Sequence, residues 1–250
     1  MVQFVAVYKK SPVDNFDAQA WREALNINAP ANPQQQNAID FQQGHFGGGL
    51  QCFGVRPQNF HWRLSANDSE RLVFLGRGVV WNWFAARATA PEQFWLRFQQ
   101  DYAQYGIEFL KQLQGQFSFA LFDKAQQRLY AFRDPVGFHP LYYAESVGSV
   151  IESSHFRPLL HLKKNDPRLS PLGVVSFFLF GFNLAPATLI DGIYRLFPGE
   201  YLACDHNGGL KKQRYWFLPP CMPQTKTIEE FSAEISALTV RSNRKRSGWR

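Results

Sequence analysis

Cysteine is scarce in this chain of 250 residues, which has only Cys52, Cys204 and Cys221. Three scattered cysteines are too few for the disulfide framework of a small secreted protein. Long apolar runs are lacking too, since the strongest, Val174 to Phe182, is well short of the roughly 20 residues that a membrane-spanning helix needs. The first residues do not resemble a signal peptide, so we expect a cytoplasmic protein.

Acidic residues are fewer than basic ones, 20 against 27, and the formal net charge is +7. Five of these positive charges lie in residues 241–250, which contain no acid, so the rest of the chain is nearly neutral. A basic body for binding nucleic acid or a membrane is therefore not supported. We expect a solvated, disordered tail, and neither a membrane nor a nucleic acid is the expected partner.

Motifs for binding metal or phosphate are weak. Cys204 and His206 are spaced C-x-H, which is a poor zinc signal without a second pair of ligands, and we expect no metal site. Gly47 to Gly49 lacks the lysine and the Ser or Thr of a phosphate-binding loop, so we interpret it as a flexible loop. The content of hydrophobic residues, 45%, and of aromatic residues, 16%, is ample for a packed core.

The most regular pattern lies between Leu113 and Ala144. Two apolar, β-favouring runs are joined there by a polar turn, Asp123 to Gln127, which predicts two buried strands in a hairpin. Pro135 closes the second strand because it cannot donate to a ladder. A third short strand is predicted at Leu141 to Ala144.

Hydrophobic periodicity and turn residues place the other elements. Strands are predicted at 2–8, 50–55, 60–64, 71–74, 149–154, 201–204 and 210–216, with a hairpin turn at 207–209, and helices at 14–25, from 91 onward and at 228–240. The stretch 26–49, rich in Asn, Gln, Pro and Gly, is interpreted as a loop. The apolar run Val174 to Phe182 is interpreted as a buried helix with Ser170 as N-cap and Pro171 at N1.

Two blocks of sequence carry a family resemblance. The first holds F-x-F-A-L-F-D at 117–123, R-D-P-V-G at 133–137 and P-L-Y-Y at 140–143; the second is T-L-I-D-G-I-Y-R-L-F-P-G-E-Y-L at 188–202, followed by Y-W at 215–216. In this order they resemble the glutamine-hydrolysing domain of asparagine synthetases, a class II glutamine amidotransferase of the N-terminal-nucleophile fold. The resemblance covers Met1 to about Leu218 and is weak between about Ser11 and Asn59.

The resemblance implies an α+β protein with a four-layer αββα sandwich, in which two mostly antiparallel sheets lie between helical layers. It also implies two parts: residues 1–222 as a glutamine amidotransferase type-2-like domain, and 223–250 as the lead-in helix of a missing synthetase domain plus the basic tail. The S-G-G-x-D-S pyrophosphate loop of that synthetase domain is not found in this sequence. No cofactor is therefore expected in this chain, and ATP and Mg²⁺ are expected only in a missing synthetase domain.

The resemblance also implies that the nucleophile is the residue exposed by removal of Met1, which is a cysteine in active relatives. Here that position is Val2, whose isopropyl group cannot attack a carbonyl, so no catalytic residue is expected. The N-G-E element, which holds the oxyanion in the family, is matched by Arg77, Gly78 and Val79. Arg77 and Gly78 are thus vestigial substrate-binding candidates. No acid stands just before the helix at 91 to hold a substrate amino group.

Five further residues have weaker signals. Arg63, in R-L-S, is a third vestigial candidate that resembles an arginine pairing with the substrate carboxylate, although we favour an ordinary strand-edge arginine. Arg133 and Asp134 are interpreted as a structural ion pair with backbone partners, and His139 as a packing or hydrogen-bonding residue in a turn. Processing before Ser11 would expose a hydroxyl but would delete the strand that must carry it.

Three functions follow from these residues. The first is a degenerate glutaminase-like domain of an asparagine synthetase-type, ATP-dependent amide-forming protein, acting as a scaffold for a synthetase domain or partner chain without hydrolysing glutamine. The alternative is an active glutamine-hydrolysing asparagine synthase domain that binds glutamine and supplies ammonia, which the well-kept scaffold motifs favour. The third is a nucleic-acid or membrane adaptor that uses the basic tail and binds in a salt-sensitive way.

Overall fold

The computed structural model of the chain describes residues 2–9, 18–27, 36–43, 46–53, 71–80, 91–146, 148–163, 167–205, 209–220 and 226–247. The chain divides into two units. The first comprises Met1–Val79 and Gln116–Tyr215, and the second comprises Val80–Gly115 and Trp216–Arg250.

The first unit contains a sheet of six strands. They are β1 (Val2–Lys9), β2 (Gln36–Gln43), β3 (Phe46–Phe53), β7 (Tyr142–Ser146), β8 (Ser149–Ser153) and β9 (Tyr194–Arg195). Their order across the sheet is β2-β3-β1-β8-β7-β9, and the neighbouring strands run antiparallel. The strand nearest the N-terminus, β1, is therefore central, and its residues Phe4 to Tyr8 are all buried.

A second sheet in the same unit has five strands. They are β4 (Leu72–Val80), β5 (Gly115–Asp123), β6 (Arg128–Arg133), β10 (Glu200–Asp205) and β11 (Leu210–Arg214), in the order β11-β10-β6-β5-β4. The predicted hairpin is β5–β6, which pairs antiparallel with Phe119 opposite Phe132. The buried Asp123 ends β5 by accepting hydrogen bonds from the N–H groups of Ala125 and Gln126 in the turn.

The two sheets pack face to face through one apolar core. Phe4, Tyr8 and Phe46 of the first sheet meet Leu75 and Phe122 of the second, and the rings of Phe46 and Phe122 stack with centroids 4.7 Å apart. Each buried aromatic ring of this kind stabilises the fold by roughly 2 kcal/mol relative to an exposed one. Two helices, α1 (Ala18–Asn26) and α4 (Phe156–Leu162), cover the other face of the first sheet. The predicted α+β sandwich of two antiparallel sheets is confirmed.

The predicted helix from Pro91 lies in the second unit and is interrupted once. It consists of α2 (Pro91–Tyr105) and α3 (Ile107–Lys111), separated by Gly106 at φ 58°, a conformation that glycine adopts without strain. Phe98 and Phe109 pack edge to face across this break, with ring centroids 5.5 Å apart.

The last helix, α6 (Ile228–Ser247), also belongs to the second unit. It begins with a capping box, in which Glu230 N–H donates to Thr227 Oγ1 and Thr227 N–H donates to a carboxylate oxygen of Glu230. The prediction of a helix at 228–240 is confirmed. The prediction of a disordered tail from residue 241 is wrong as far as Ser247, because the helix continues through these residues.

The interpretation of residues 26–49 as a loop is wrong for most of the described residues in that range. Gln36–Gln43 forms β2, and Gly47 to Gly49 lies within β3 rather than in a flexible loop. β3 pairs with β2 on one side and with β1 on the other. These two ladders satisfy the backbone of β3, which offsets the low strand propensity of glycine.

The apolar run after Ser170 forms α5 (Pro171–Phe180), with Ser170 Oγ accepting a hydrogen bond from Gly173 N at 3.1 Å. The helix, its N-cap and Pro at N1 are confirmed. The prediction that the helix is buried is wrong, because Phe178 is 82% exposed and Leu179 is 70% exposed. The sequence pattern shows that the helix is hydrophobic, but it does not show whether other residues pack against it.

Other predictions have mixed outcomes. The strand predicted at 71–74 extends to Val80, so β4 includes Arg77 and Gly78. β10 and β11 pair as predicted, while positions 206–208 of their turn and the predicted strand at 60–64 lie outside the described residues. Among the helices that are described, none combines the length and the apolar character needed to cross a membrane.

Candidate functional site

The N-terminal end of β1 is held firmly in the first sheet. Its first residue is Val2, opposite Cys52 in β3. Two residues further on, Phe4 N–H donates to Ser154 Oγ at 3.0 Å, and Phe4 O accepts from Ser153 Oγ at 2.9 Å and from Ser154 N at 3.2 Å. The fold therefore fixes the backbone beside the position where a nucleophile is expected, and the residue there is a valine.

A serine–histidine pair beside β1 was not found by sequence analysis. Ser154 Oγ lies 2.9 Å from His155 Nδ1 and also accepts a hydrogen bond from Phe4 N, and the tautomer of the imidazole determines which of the two side chains donates to the other. Burial, with the nearby charge of Arg77, lowers the pKa of His155 to about 4, so the ring is neutral at pH 7. Ser154 is fully buried and its oxygen is engaged on both sides, so the pair positions β1.

Arg77 and Gly78 lie next to each other in β4. Burial lowers the pKa of Arg77 to about 10, with a smaller opposing effect from Tyr142. Gly78 has φ +121°, and a Cβ there would lie 1.9 Å from Gln116 O of β5. No other residue type fits this backbone, so Gly78 is retained for the approach of β4 to β5.

His139 shares the electrostatic environment of Arg77. Burial and then the charges of Arg77 and Arg133 lower the pKa of His139 to about 4. Its ring packs edge to face on Phe138, with centroids 5.1 Å apart. The charge of Arg77 acts on both His139 and His155, and the charge of Arg133 acts on His139, so we treat these four side chains as one electrostatic cluster.

Arg133 and Asp134 make backbone contacts that fix the turn after β6. The Asp134 carboxylate accepts from the backbone N–H groups of Phe117, Val136, Gly137, Phe138 and His139. Arg133 donates to the carbonyl oxygens of Gly137, His139 and Leu196. The predicted backbone partners are therefore confirmed, whereas these two described side chains form no salt bridge with each other, so the predicted ion pair is wrong.

The cluster of Arg77, Arg133, His139 and His155 contains cations and neutral imidazoles but no thiol. Cys204 is buried in the core between the sheets, and its predicted companion His206 lies outside the described residues, as do Arg63, Ser11 and the positions just before Pro91. No group of three or more metal-ligating side chains comes together within the described ranges. The side chains of Arg77, Arg133, His139 and His155 carry no sulfur and no hydroxyl, so none of them supplies the thiol or hydroxyl that the covalent route uses.

A separate cavity of about 180 Å³ opens beside β7 and α4. It is lined by Tyr142, Phe156, Asn183, Ala187, Thr188, Leu189 and Arg195. Arg195 Nη2 donates to the backbone oxygen of Asn183 at 2.7 Å, and Thr188 Oγ1 donates to Ile193 O at 2.7 Å. These two atoms are engaged by the protein itself, whereas Arg195 Nε is buried and has no hydrogen-bond partner among the described residues.

Comparisons with known proteins agree on one kind of domain. A family model described as a glutamine amidotransferase domain matches residues 97–216. The chain is 25% identical over 229 residues to the amidase chry2 of Gibberella zeae, covering 84% of this chain and 33% of that protein. It is 27% identical over 243 residues to glutamine-hydrolysing asparagine synthetase 1 of Bacillus subtilis, covering 92% of this chain and 38% of that protein.

The solved glutamine phosphoribosylpyrophosphate amidotransferase of B. subtilis is 12% identical and aligns over 86% of this chain and 50% of its own, with a TM-score of 0.47. The chain spans little more than a third of the length of the curated relatives named above.

Proposed function

Because this chain carries a glutamine amidotransferase type-2 domain related to those of asparagine synthetases, we propose that it is a degenerate glutaminase-like domain of an asparagine synthetase-type, ATP-dependent amide-forming protein. In this proposal the domain is a scaffold and does not hydrolyse glutamine. A synthetase domain or partner chain would bind ATP and Mg²⁺ and would use free ammonia or another amine. This assignment of the whole protein rests on family analogy.

The proposal rests on the identity of the first residue of β1. Glutamine hydrolysis by a covalent route needs sulfur or oxygen on the attacking residue. The residue at the start of β1 is Val2, and the contacts of Phe4 with Ser153 and Ser154 hold this strand in place. No tetrahedral intermediate can form from an isopropyl group.

The position that would bind the oxyanion also differs from the family motif, which supports the proposal that the domain does not hydrolyse glutamine. Arg77 occupies the place of the amide donor that the family resemblance implies, and losing one such donor typically costs about 100-fold or more in rate. The guanidinium of Arg77 is itself a donor, so this change alone would not abolish catalysis. The missing nucleophile is therefore the stronger argument.

An active domain that supplies ammonia is the second candidate. Gly78 has a φ of +121°, and the Asp134 carboxylate accepts hydrogen bonds from the backbone of the turn that follows it. The backbone around the cluster is therefore well supported. An intact scaffold favours this candidate, but it does not replace the nucleophile.

Ammonia release from L-glutamine separates the two candidates. We expect no release by this chain above a boiled sample, while the asparagine synthetase of B. subtilis named above serves as the active control. The matched variant is Arg63→Ala, which removes the residue implied in binding the substrate carboxylate. Release by the unchanged chain that disappears in Arg63→Ala would overturn the scaffold proposal.

A further inference from the structure

The cavity beside β7 and α4 holds a partly buried arginine with unused hydrogen-bond donors. Arg195, the last residue of β9, is one of the residues that line it. A guanidinium carries several N–H donors, and among the described residues that of Arg195 makes one hydrogen bond, from Nη2 to Asn183 O. Its Nε is buried and has no partner in the same part of the chain. Because buried donors are nearly always paired in folded proteins, this one indicates that a further acceptor belongs beside Arg195.

The charge of Arg195 is not neutralised by the protein. The described residues that line the cavity include neither Asp nor Glu, and Arg195 forms no ion pair within the described ranges. A neighbouring charge has the same sign: burial and then the charge of Arg195 lower the pKa of Arg133, so the two guanidinium groups repel each other. A cation in this setting favours an anionic ligand, and the fork of N–H donors matches the two oxygens of a carboxylate.

The other walls of the cavity are apolar and partly aromatic. Tyr142 of β7 and Phe156 of α4 pack edge to face, with ring centroids 5.9 Å apart. Ala187 and Leu189 add aliphatic surface. Aromatic rings pack well against one another in offset and edge-to-face arrangements. These walls therefore favour a ligand that has a flat apolar group beside its anionic group.

The volume of the cavity restricts the ligand to a small molecule. The cavity measures about 180 Å³, and an apolar cavity of about 150 Å³ binds benzene. Drug-sized ligands occupy larger pockets, of about 300–1,000 Å³. A single aromatic ring with one carboxylate therefore fits this cavity, whereas a nucleotide or a peptide exceeds it.

We propose that this cavity binds a small aromatic carboxylate. The carboxylate lies against the guanidinium of Arg195, and the ring lies against Tyr142 and Phe156. The hydrogen bond from Nη2 to Asn183 O holds the guanidinium in position before the ligand arrives. This proposal does not depend on whether the domain hydrolyses glutamine, because the cavity does not include Val2.

Titration of the isotope-labelled full chain with benzoate, followed through its amide NMR spectrum, tests the proposal. We expect the amide signals of Asn183 and Arg195 to shift and saturate with a dissociation constant of about 1 mM or below, a modest affinity for a ligand of this size. Benzamide has the ring without the charge, and acetate has the carboxylate without the ring. We expect each of them to bind at least about 10-fold more weakly than benzoate.

Two substitutions locate the site. Arg195→Gln removes the charge and keeps a donor for Asn183 O, and we expect it to weaken benzoate binding at least about 10-fold and to remove the preference for benzoate over benzamide. Leu189→Trp fills the cavity from its exposed side and should block benzoate. Arg168→Gln is the matched control, because Arg168 is an exposed arginine that does not line the cavity, and it should bind as the unchanged chain does.

The same amide spectra show whether each variant keeps its fold. Should Arg195→Gln unfold, Leu189→Trp and the comparison of benzoate with benzamide and acetate decide. No saturable shift with benzoate up to about 10 mM would contradict the proposal. Equal affinity for benzoate and acetate would contradict it too, as would benzoate binding that both cavity variants leave unchanged.

Discussion

Glu152 is a fully buried carboxyl group in the core between the sheets. In the ladders of the first sheet it stands between Ala6 and Tyr143. Neither carboxylate oxygen has a hydrogen-bond partner in the part of the chain that the structure describes. Burial raises the pKa of Glu152 to about 8, so the group is mostly protonated at pH 7.

This raised pKa links the stability of the fold to pH. Below the ordinary pKa the carboxyl is protonated in both the folded and the unfolded chain, and Glu152 contributes no pH dependence. As pH rises from about 4.5 the unfolded chain ionises first, so the free energy of unfolding falls, by on the order of 3 kcal/mol between pH 4.5 and 7. The loss ends near pH 8, where the folded form ionises too.

Glu152→Gln removes the ionisation and keeps the shape of the side chain. We expect urea unfolding of Glu152→Gln to be less dependent on pH, with a gain over the unchanged chain at pH 7 that vanishes near pH 4.5. Glu145→Gln is the control, because Glu145 is exposed on the neighbouring strand and should change little. Equal slopes of stability against pH in the unchanged chain and in Glu152→Gln would show that Glu152 does not ionise on unfolding in this range.

For individual residues, the sequence identified candidates by the chemistry of their side chains. It did not show which other residues surround each side chain. Val2 and Arg77 could be singled out because their positions follow from matched motifs. The hydrogen bond between Ser154 and Phe4 of β1 joins positions 150 apart, so no local sequence pattern predicts it. A glutamate in a short strand is normally solvent-exposed, so only the packing of the second sheet reveals that Glu152 is buried.

Among the elements, β3 differs most from its sequence-based prediction. Its glycines have low intrinsic strand propensity, and their pattern does not alternate, so a loop was the natural interpretation. In the fold β3 lies between β1 and β2, and Gly48 faces the second sheet. A Cβ on Gly48 would lie 2.4 Å from Leu75 Cδ1 and 3.0 Å from Val5 O.

Gly48→Val tests whether this stretch is a packed strand. In a loop the substitution would be nearly neutral, whereas between two sheets the added methyl groups crowd Leu75 and the backbone of Val5. We expect a loss of about 1–3 kcal/mol in the free energy of unfolding, measured by urea denaturation. Gly209→Ala is the control, because its nearest neighbour, Asp205 Oδ1, is 3.7 Å away. Equal stability of Gly48→Val and the unchanged chain would contradict this packing.

The start of α5 was easier to predict than its surroundings, because Ser170 and Pro171 mark it through local backbone chemistry. Its end was not predicted: the helix stops at Phe180, where Gly181 takes the left-handed C-cap conformation. Whether the helix is exposed depends on which other parts of the molecule pack against it. An apolar run in the sequence does not contain this information.

At the scale of the whole molecule, burial is very uneven. The central strands β5 and β6 are buried along almost their entire length. In α6, by contrast, every side chain described from Ile228 to Ser242 is exposed. A helix without packing is marginal in water, so its stability comes from local contacts such as the capping box of Thr227 and Glu230 and the ion pair of Lys226 with Glu234.

This contrast predicts a gradient of local stability that amide hydrogen exchange can measure. We expect the amides of β5 and β6 to exchange only when the whole first unit unfolds, and those of α6 to exchange with protection below about 100-fold. Thr227→Ala removes the cap, which typically contributes about 1 kcal/mol, and should lower protection in α6 further while leaving β5 and β6 unchanged. Slow exchange in α6, equal to that of β5, would contradict the exposure of this helix.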